Sequence, residues 1–308
     1  MRRAALALLA TLAVVVLGAS ASAQPERVAG SRATLETPPG FRTADAFAGF
    51  QHDGLSASLV VAELAGAPLQ EMLDGMTAEA FATQGVEVTE RREVRVQGAP
   101  AVLMHGAQRA YGVLFDKWIL VAGDANGVVM VTAALPAEHA KHGPALERAV
   151  LSLAWGGEPP ADLFEGLGFT IDLPPDLTHR QRVGATLLLA EEAGPNRDGA
   201  PVYIAGLGAA PLVGDLAAQT ARRLRQTAGV RDLGAVAGQA VSVGGVGGWE
   251  AVAAGRDVDS GDPVTVYLVL APTEAGYVIL QRIVRSGLAD QWLPRFRALT
   301  ASLDWRTP

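Results

Sequence analysis

His139 and His142 stand three residues apart, the spacing at which one helical turn can present two imidazoles to a divalent metal. The neighbouring Glu138 falls on a different face and no third ligand is evident. The pair follows Pro136 at the start of a helix, and it reads as a solvated helix start. His52-Asp53 has the types of a base and its orienting carboxylate, but neighbours in a turn rarely orient one another, and Asp53-Gly54 reads as a two-residue hairpin turn. His179, with Arg180 and Arg182 close behind, could hold an anion; the Pro174-Pro175 pair before it places it on a loop.

Gly244-Gly245-Val246-Gly247-Gly248 has the composition of a phosphate loop. It lacks the Lys-Ser/Thr of a P-loop and the G-x-G-x-x-G order, and no helix follows to aim its N-terminus at a phosphate. It reads as a strand connection. No serine sits in a G-x-S-x-G elbow. The absence of cysteine excludes thiol catalysis, disulfides and Cys-ligated zinc. The expectation is a chain with no catalytic residue, no metal site and no cofactor.

Binding remains. Arg222, Arg223 and Arg225 close a helix and could face an acidic partner; a solvated helix face explains them equally. Trp118 and Trp249 are aromatic residues without counterparts at matching positions, which makes them candidates for an interface or a pocket, with packing into the core from a strand face the more ordinary reading. A net charge of -7 repels phosphate backbones and argues against nucleic acid.

The elements that must position these residues come in two sets. Leu35-Glu-Thr-Pro-Pro-Gly-Phe41 reads like Ile171-Asp-Leu-Pro-Pro-Asp-Leu177, and Asp53-Gly54 like Asp198-Gly199. Pro68-Leu69 and Pro211-Leu212 each open a helical stretch. Val94-x-Val96-x-Gly98 matches Val241-x-Val243-x-Gly245, and Gly127–Val131 matches Gly276–Leu280. Leu151-Ser-Leu-Ala-Trp155 matches Ala301-Ser-Leu-Asp-Trp305. The order is constant and the offset grows from 136 to 150 residues, as loop insertions would make it. Trp155 and Trp305 therefore read as structural. Residues 30–155 and 162–308 are expected to be two tandem domains, joined by a Gly/Pro-rich linker at 156–161.

Each set predicts an opening strand ended by Pro-Pro, a hairpin, a helix, a run of β-rich segments with glycine turns, and a closing helix. Leu69, Met72, Leu73 and Met76 recur at helical spacing, as do Leu146, Ala149, Val150 and Leu153. In the second set Leu212, Leu216 and Leu224 form the early helix, and Trp292, Phe296, Leu299 and Leu303 the last. Short connections between strands imply antiparallel pairing. The expected fold class is α+β, two antiparallel sheets flanked by helices.

Arg2-Arg3, the apolar run Ala4–Ala19 and Ala21-Ser22-Ala23 form the three parts of a secretory signal, with cleavage after Ala23 and a periplasmic or secreted product. The run is shorter than the ~20 residues of a membrane span. Without cysteine there is no lipoprotein anchor, and no membrane insertion is expected after cleavage.

The Pro-Pro strand ends at Leu35–Phe41 and Ile171–Leu177, the Val-x-Val-x-Gly segments and the Ser-Leu-x-Trp termini together resemble PsbP/Mog-type domains, including the DcrB-like proteins of bacterial envelopes. The resemblance spans nearly all of the chain after the leader. It implies binding or assembly modules rather than enzymes: photosynthetic members attach to photosystem II, and Mog-type members bind a small GTPase. No residue here ties the chain to either partner. The expected function is an exported, non-enzymatic binding or assembly module with a protein partner in the envelope. The alternatives are a pocket for a small apolar or anionic ligand and, third, a hydrolase.

Overall fold

The computed structural model describes residues 24–110, 112–124, 127–158, 160–190, 202–208, 212–274 and 276–306. The expected leader, the Asp198-Gly199 turn and Pro211 lie outside the described residues.

The first half runs β1 (Pro25–Arg27), β2 (Ala33–Glu36), β3 (Arg42–Thr43), β4 (Gly49–His52), β5 (Ala57–Ala65), α1 (Leu69–Gly75), α2 (Ala78–Thr83), β6 (Val86–Val96), β7 (Ala99–Ala110), β8 (Val113–Asp124), β9 (Gly127–Pro136), α3 (Gly143–Leu151) and β10 (Ala154–Trp155). Strands β3-β4-β5-β9-β8-β7-β6 form one antiparallel sheet in that order. Its central strands β7, β8 and β9 carry apolar residues on both faces because both are covered. On β8, Trp118 and Leu120 pack with Leu146 and Val150 of α3. The alternate residues Ile119 and Val121 pack with Phe81 of α2 and with Leu69 and Met72 of α1.

The second half runs β11 (Phe169–Thr170), β12 (His179–Val183), β13 (Thr186–Ala190), β14 (Val202–Gly208), α4 (Leu216–Arg225), β15 (Val230–Arg231), β16 (Ala237–Val243), β17 (Val246–Asp257), β18 (Pro263–Thr273), β19 (Gly276–Arg285), α5 (Ala289–Ala301) and β20 (Asp304–Trp305). Its sheet has the order β12-β13-β14-β19-β18-β17, with β15 and β16 both on the outer side of β17. Phe296 and Trp292 of α5 close one face and Leu224 of α4 the other. The architecture is α+β and dominated by antiparallel sheet.

Four expectations change at this level. The early helix of the first half is two short helices, because the Thr77 hydroxyl accepts from Ala80 N at 3.1 Å and starts a new helix there. The early helix of the second half starts at Leu216, after the Asp215 carboxylate caps the amides of Ala217 and Ala218, so Leu212 packs from the preceding loop. Asp53-Gly54 is part of a 3₁₀ turn over Asp53–Leu55, closed by Ser56 in the left-handed region (φ 48°) and by Leu55 N donating to His52 Nδ1 at 3.2 Å. His179 opens strand β12 and is not on a loop.

The tight hairpin turns lie elsewhere. Gln97-Gly98 (φ 48° and 82°) joins β6 to β7, and Gly244-Gly245 (φ 55° and 79°) joins β16 to β17. Positive φ at both central residues is the type I′ turn that matches strand twist, and it favours glycine in the second position. The Val-x-Val-x-Gly pattern is therefore a strand running into this turn, and the glycine run at 244–248 is a hairpin and the start of a strand.

The Pro-Pro and Ser-Leu-x-Trp motifs meet each other in both halves. Strand β2 pairs with β10, and β11 with β20, outside the main sheets. Ser152 Oγ accepts from Glu36 N at 2.8 Å and donates to Ala149 O at 2.7 Å. Ser302 Oγ accepts from Asp172 N at 3.2 Å and donates to Leu299 O at 2.8 Å. One hydroxyl thus finishes the last helix and ties its end to the opening strand.

Candidate functional site

A cavity of about 650 Å³ lies between the halves, over Ala48 and Val61 of the first and against Arg180 and Arg182 of the second. Arg182 is a clamp. Its Nε donates to Gly184 O at 2.7 Å and one terminal nitrogen to Glu165 O, both within the second half, while the other terminal nitrogen donates to Ala29 O across the joint at 3.4 Å. Burial pulls its pKa below the usual arginine range. Arg27 of the first half pairs with Glu165 of the second. Arg32 pairs with Glu63 at 2.9 Å, the two side chains only 10% and 18% exposed, and its guanidinium lies 4.5 Å from the Trp155 ring. These charges are already satisfied by protein groups. The cleft is built as a joint.

Glu63 makes this joint acid-sensitive. Burial raises its carboxyl pKa, but hydrogen bonds from the Ser31 hydroxyl and from the backbone and guanidinium of Arg32 outweigh burial and hold it below the usual value. A depressed folded-state pKa gives stability that is full above the unfolded value of about 4.3 and is lost as pH falls through the folded one. Urea midpoints of the wild type are expected to fall more steeply than those of Glu63→Gln between about pH 5 and pH 3. Parallel slopes would show that the carboxylate adds nothing.

Trp118 is 6% exposed, a core residue beneath α3 and not a surface anchor. It stacks on His105 with ring centroids 4.9 Å apart, beside a cavity of about 250 Å³. His139 and His142 lie in a 3₁₀ turn (Ala137–His142) between β9 and α3. Among the described residues no three His, Asp or Glu side chains converge as metal ligands. Arg180 donates from Nε to Leu177 O at 2.9 Å. Of the side chain of His179 nothing is described.

Arg222, Arg223 and Arg225 are exposed in the last turn of α4, with no hydrogen bond or ion pair holding them among the described residues. Positive charge there complements the negative end of the helix dipole. Trp249, half-buried on β17, lies on the same face of the sheet as α4. Its indole crosses Gly238 of β16, where a Cβ would come within 2.6 Å of Nε1. The structure therefore gathers Trp249 and the arginine helix onto one face of the second half and leaves Trp118 in the other half.

The feature that residue types did not announce is the edge those groups border. Among the described residues strand β16 pairs on one side only, with β17; it is exposed from Ala237 to Ala240, and at its far end Val243 O accepts from Trp305 Nε1 at 3.3 Å. Its sequence, Ala-Gly-Gln-Ala-Val-Ser-Val, has no charge and no proline, and its register carries no bulge. The corresponding outer strand of the first half, β6, has the opposite design. It carries Glu87, Glu90, Arg91, Arg92, Glu93 and Arg95 and is bulged at Thr89. Charge and bulges are what proteins place on an edge to stop another strand from joining it.

No family model and no curated protein matches the chain. Solved structures give distant likenesses. The apo immunity protein TplEi of the T6SS from Pseudomonas aeruginosa is 14% identical, with 91% of this chain and 97% of that one covered and a TM-score of 0.35. The Tle4-Tli4 complex is 12% identical over 91% of this chain and 97% of that one, with a TM-score of 0.34. A Pseudomonas aeruginosa protein of unknown function is 20% identical over 33% of this chain and 74% of that one, with a TM-score of 0.30. Scores this low carry no argument about function.

Proposed function

We propose that the chain is an exported, non-enzymatic binding module that takes up an extended, uncharged segment of a partner protein as an added strand beside β16. The observation that carries this is the contrast between the two outer strands of one chain, β6 charged and bulged, β16 neutral and regular. An unguarded edge is an aggregation hazard, and its backbone donors and acceptors are a template for a visiting strand. Trp249 supplies an aromatic flank to that edge. Export rests on the leader pattern at residues 1–23, and kinship with PsbP/Mog-type domains on the paired motifs; both are part of the proposal.

A photo-crosslinking residue at Ala240 tests it in the cells that make the protein. The expected result is an adduct that mass spectrometry maps to an extended segment of another protein, absent when the crosslinker stands at Arg91 of β6. Ala240→Lys with Ser242→Lys should remove partner binding while circular dichroism stays unchanged. No adduct at Ala240, or an adduct only with a second copy of the chain, sinks the proposal.

A further inference from the structure

Lys117 is on the face of β8 that looks toward α1 and α2, next to Ile119 and opposite in direction to Trp118. Its cross-strand partners are Gly106 on β7 and Ala134 on β9, two of the smallest residues, which leave room beside its half-buried side chain. It lines a cavity of about 260 Å³ whose apolar wall is Met76, Phe81, Ile119 and Met130. Thr132 lines the cavity too, and the Gln108 amide there is committed to Gln84 O at 2.9 Å. Among the described residues no hydrogen bond or ion pair engages the Lys117 ammonium. Burial alone pulls its pKa below the usual lysine range.

An ammonium drawn into apolar surroundings without a counter-ion is costly, and a protein ordinarily pairs such a charge. The other half-buried cations described above, Arg32 and Arg182, are both satisfied by protein acceptors. Lys117 is the exception, and it faces a space whose wall is mostly apolar, with Gln84, Gln108 and Thr132 the other polar side chains. Few convergent polar groups within an apolar wall make a small-molecule site, and 260 Å³ limits the occupant to a compact one. We infer that this cavity binds a small apolar carboxylate, the Lys117 ammonium meeting the carboxylate through a charge-assisted hydrogen bond and the Met76, Phe81 and Met130 side chains receiving the tail. The site lies in the first half and is independent of the β16 edge.

Titration calorimetry of the full chain with sodium octanoate tests the inference. The wild type is expected to bind at one site, and Lys117→Met to weaken octanoate by about ten-fold or more. Octan-1-ol, which has the same tail and no charge, is expected to bind both proteins equally. Ala80→Phe, which fills the roof of the cavity, should remove both ligands. Should Lys117→Met fail to fold by circular dichroism, Lys117→Gln takes its place. Absence of octanoate binding to the wild type, or a change of less than about two-fold on replacing Lys117, overturns the assignment.

Discussion

Trp118→Ala is expected to remove about 4 kcal/mol from the stability of the first half. The ring is almost fully enclosed, stacks on His105 and reaches so close to α3 that a Cβ on Gly143 would stand 3.0 Å from it. The sheet below and the helix above are each fixed by their own hydrogen bonds, so the space left by an indole cannot close, and the cavity adds to the lost transfer energy. The two halves have separate cores, so the loss should be local. Hydrogen exchange in urea should show peptides of β8 and β9 opening early while those of β18 and β19 keep their wild-type protection. A variant as stable as the wild type would show that the tryptophan is not packed as described.

Arg297→Ala is expected to cost about 3 kcal/mol in the second half, and Glu250→Leu distinctly less. The two residues form one ion pair, yet they are not equivalent. The Glu250 side chain is 3% exposed, while that of Arg297 is 48% exposed. Arg297 gives Nε to both carboxylate oxygens, at 3.2 and 3.0 Å, and a terminal nitrogen at 2.7 Å. Without it, Glu250 stays in the interior with the Gln239 amide alone, at 3.2 Å. Removing the carboxylate instead leaves an arginine that can turn to water, and leucine occupies the vacated space. Breaking a buried pair is severe when the stranded partner is the enclosed one. Equal urea midpoints for the two variants would refute this asymmetry.

Much of the strand and helix order could be read from the chain because it rests on local rules. Continuous apolar runs on β8 and β18, the last-helix stripes at Leu146 and Phe296, and the turn glycines at Gly98 and Gly245 each act within a few residues. The misread turn at Asp53-Gly54 shows the limit of such rules. The pattern was the right one for a hairpin, but the His52 side chain offered an acceptor to Leu55 and lengthened the turn. The candidate sites were harder for a different reason. Tryptophan without a counterpart says nothing about depth, and only the pairing of His105 with Trp118 under α3 places it inside. Strand β16 escaped notice because its significance is a lack of charge, and a lack becomes visible only when the neighbouring strand turns out to be missing as well. Lys117 was visible as one of two lysines, but its direction depends on which face of β8 the helices cover.

The joint between the halves has a consequence for how the chain can change over generations. The residues that set the angle between the two sheets are Arg27, Ala29, Glu165 and Arg182, and none belongs to the segment at 156–161 that connects them covalently. The tether keeps the halves near each other, while the fit of side chain to carbonyl determines their pose. Insertions and substitutions in the tether can therefore accumulate with little effect on geometry. A single change at Arg182 would alter the pose although every peptide bond of the tether were preserved.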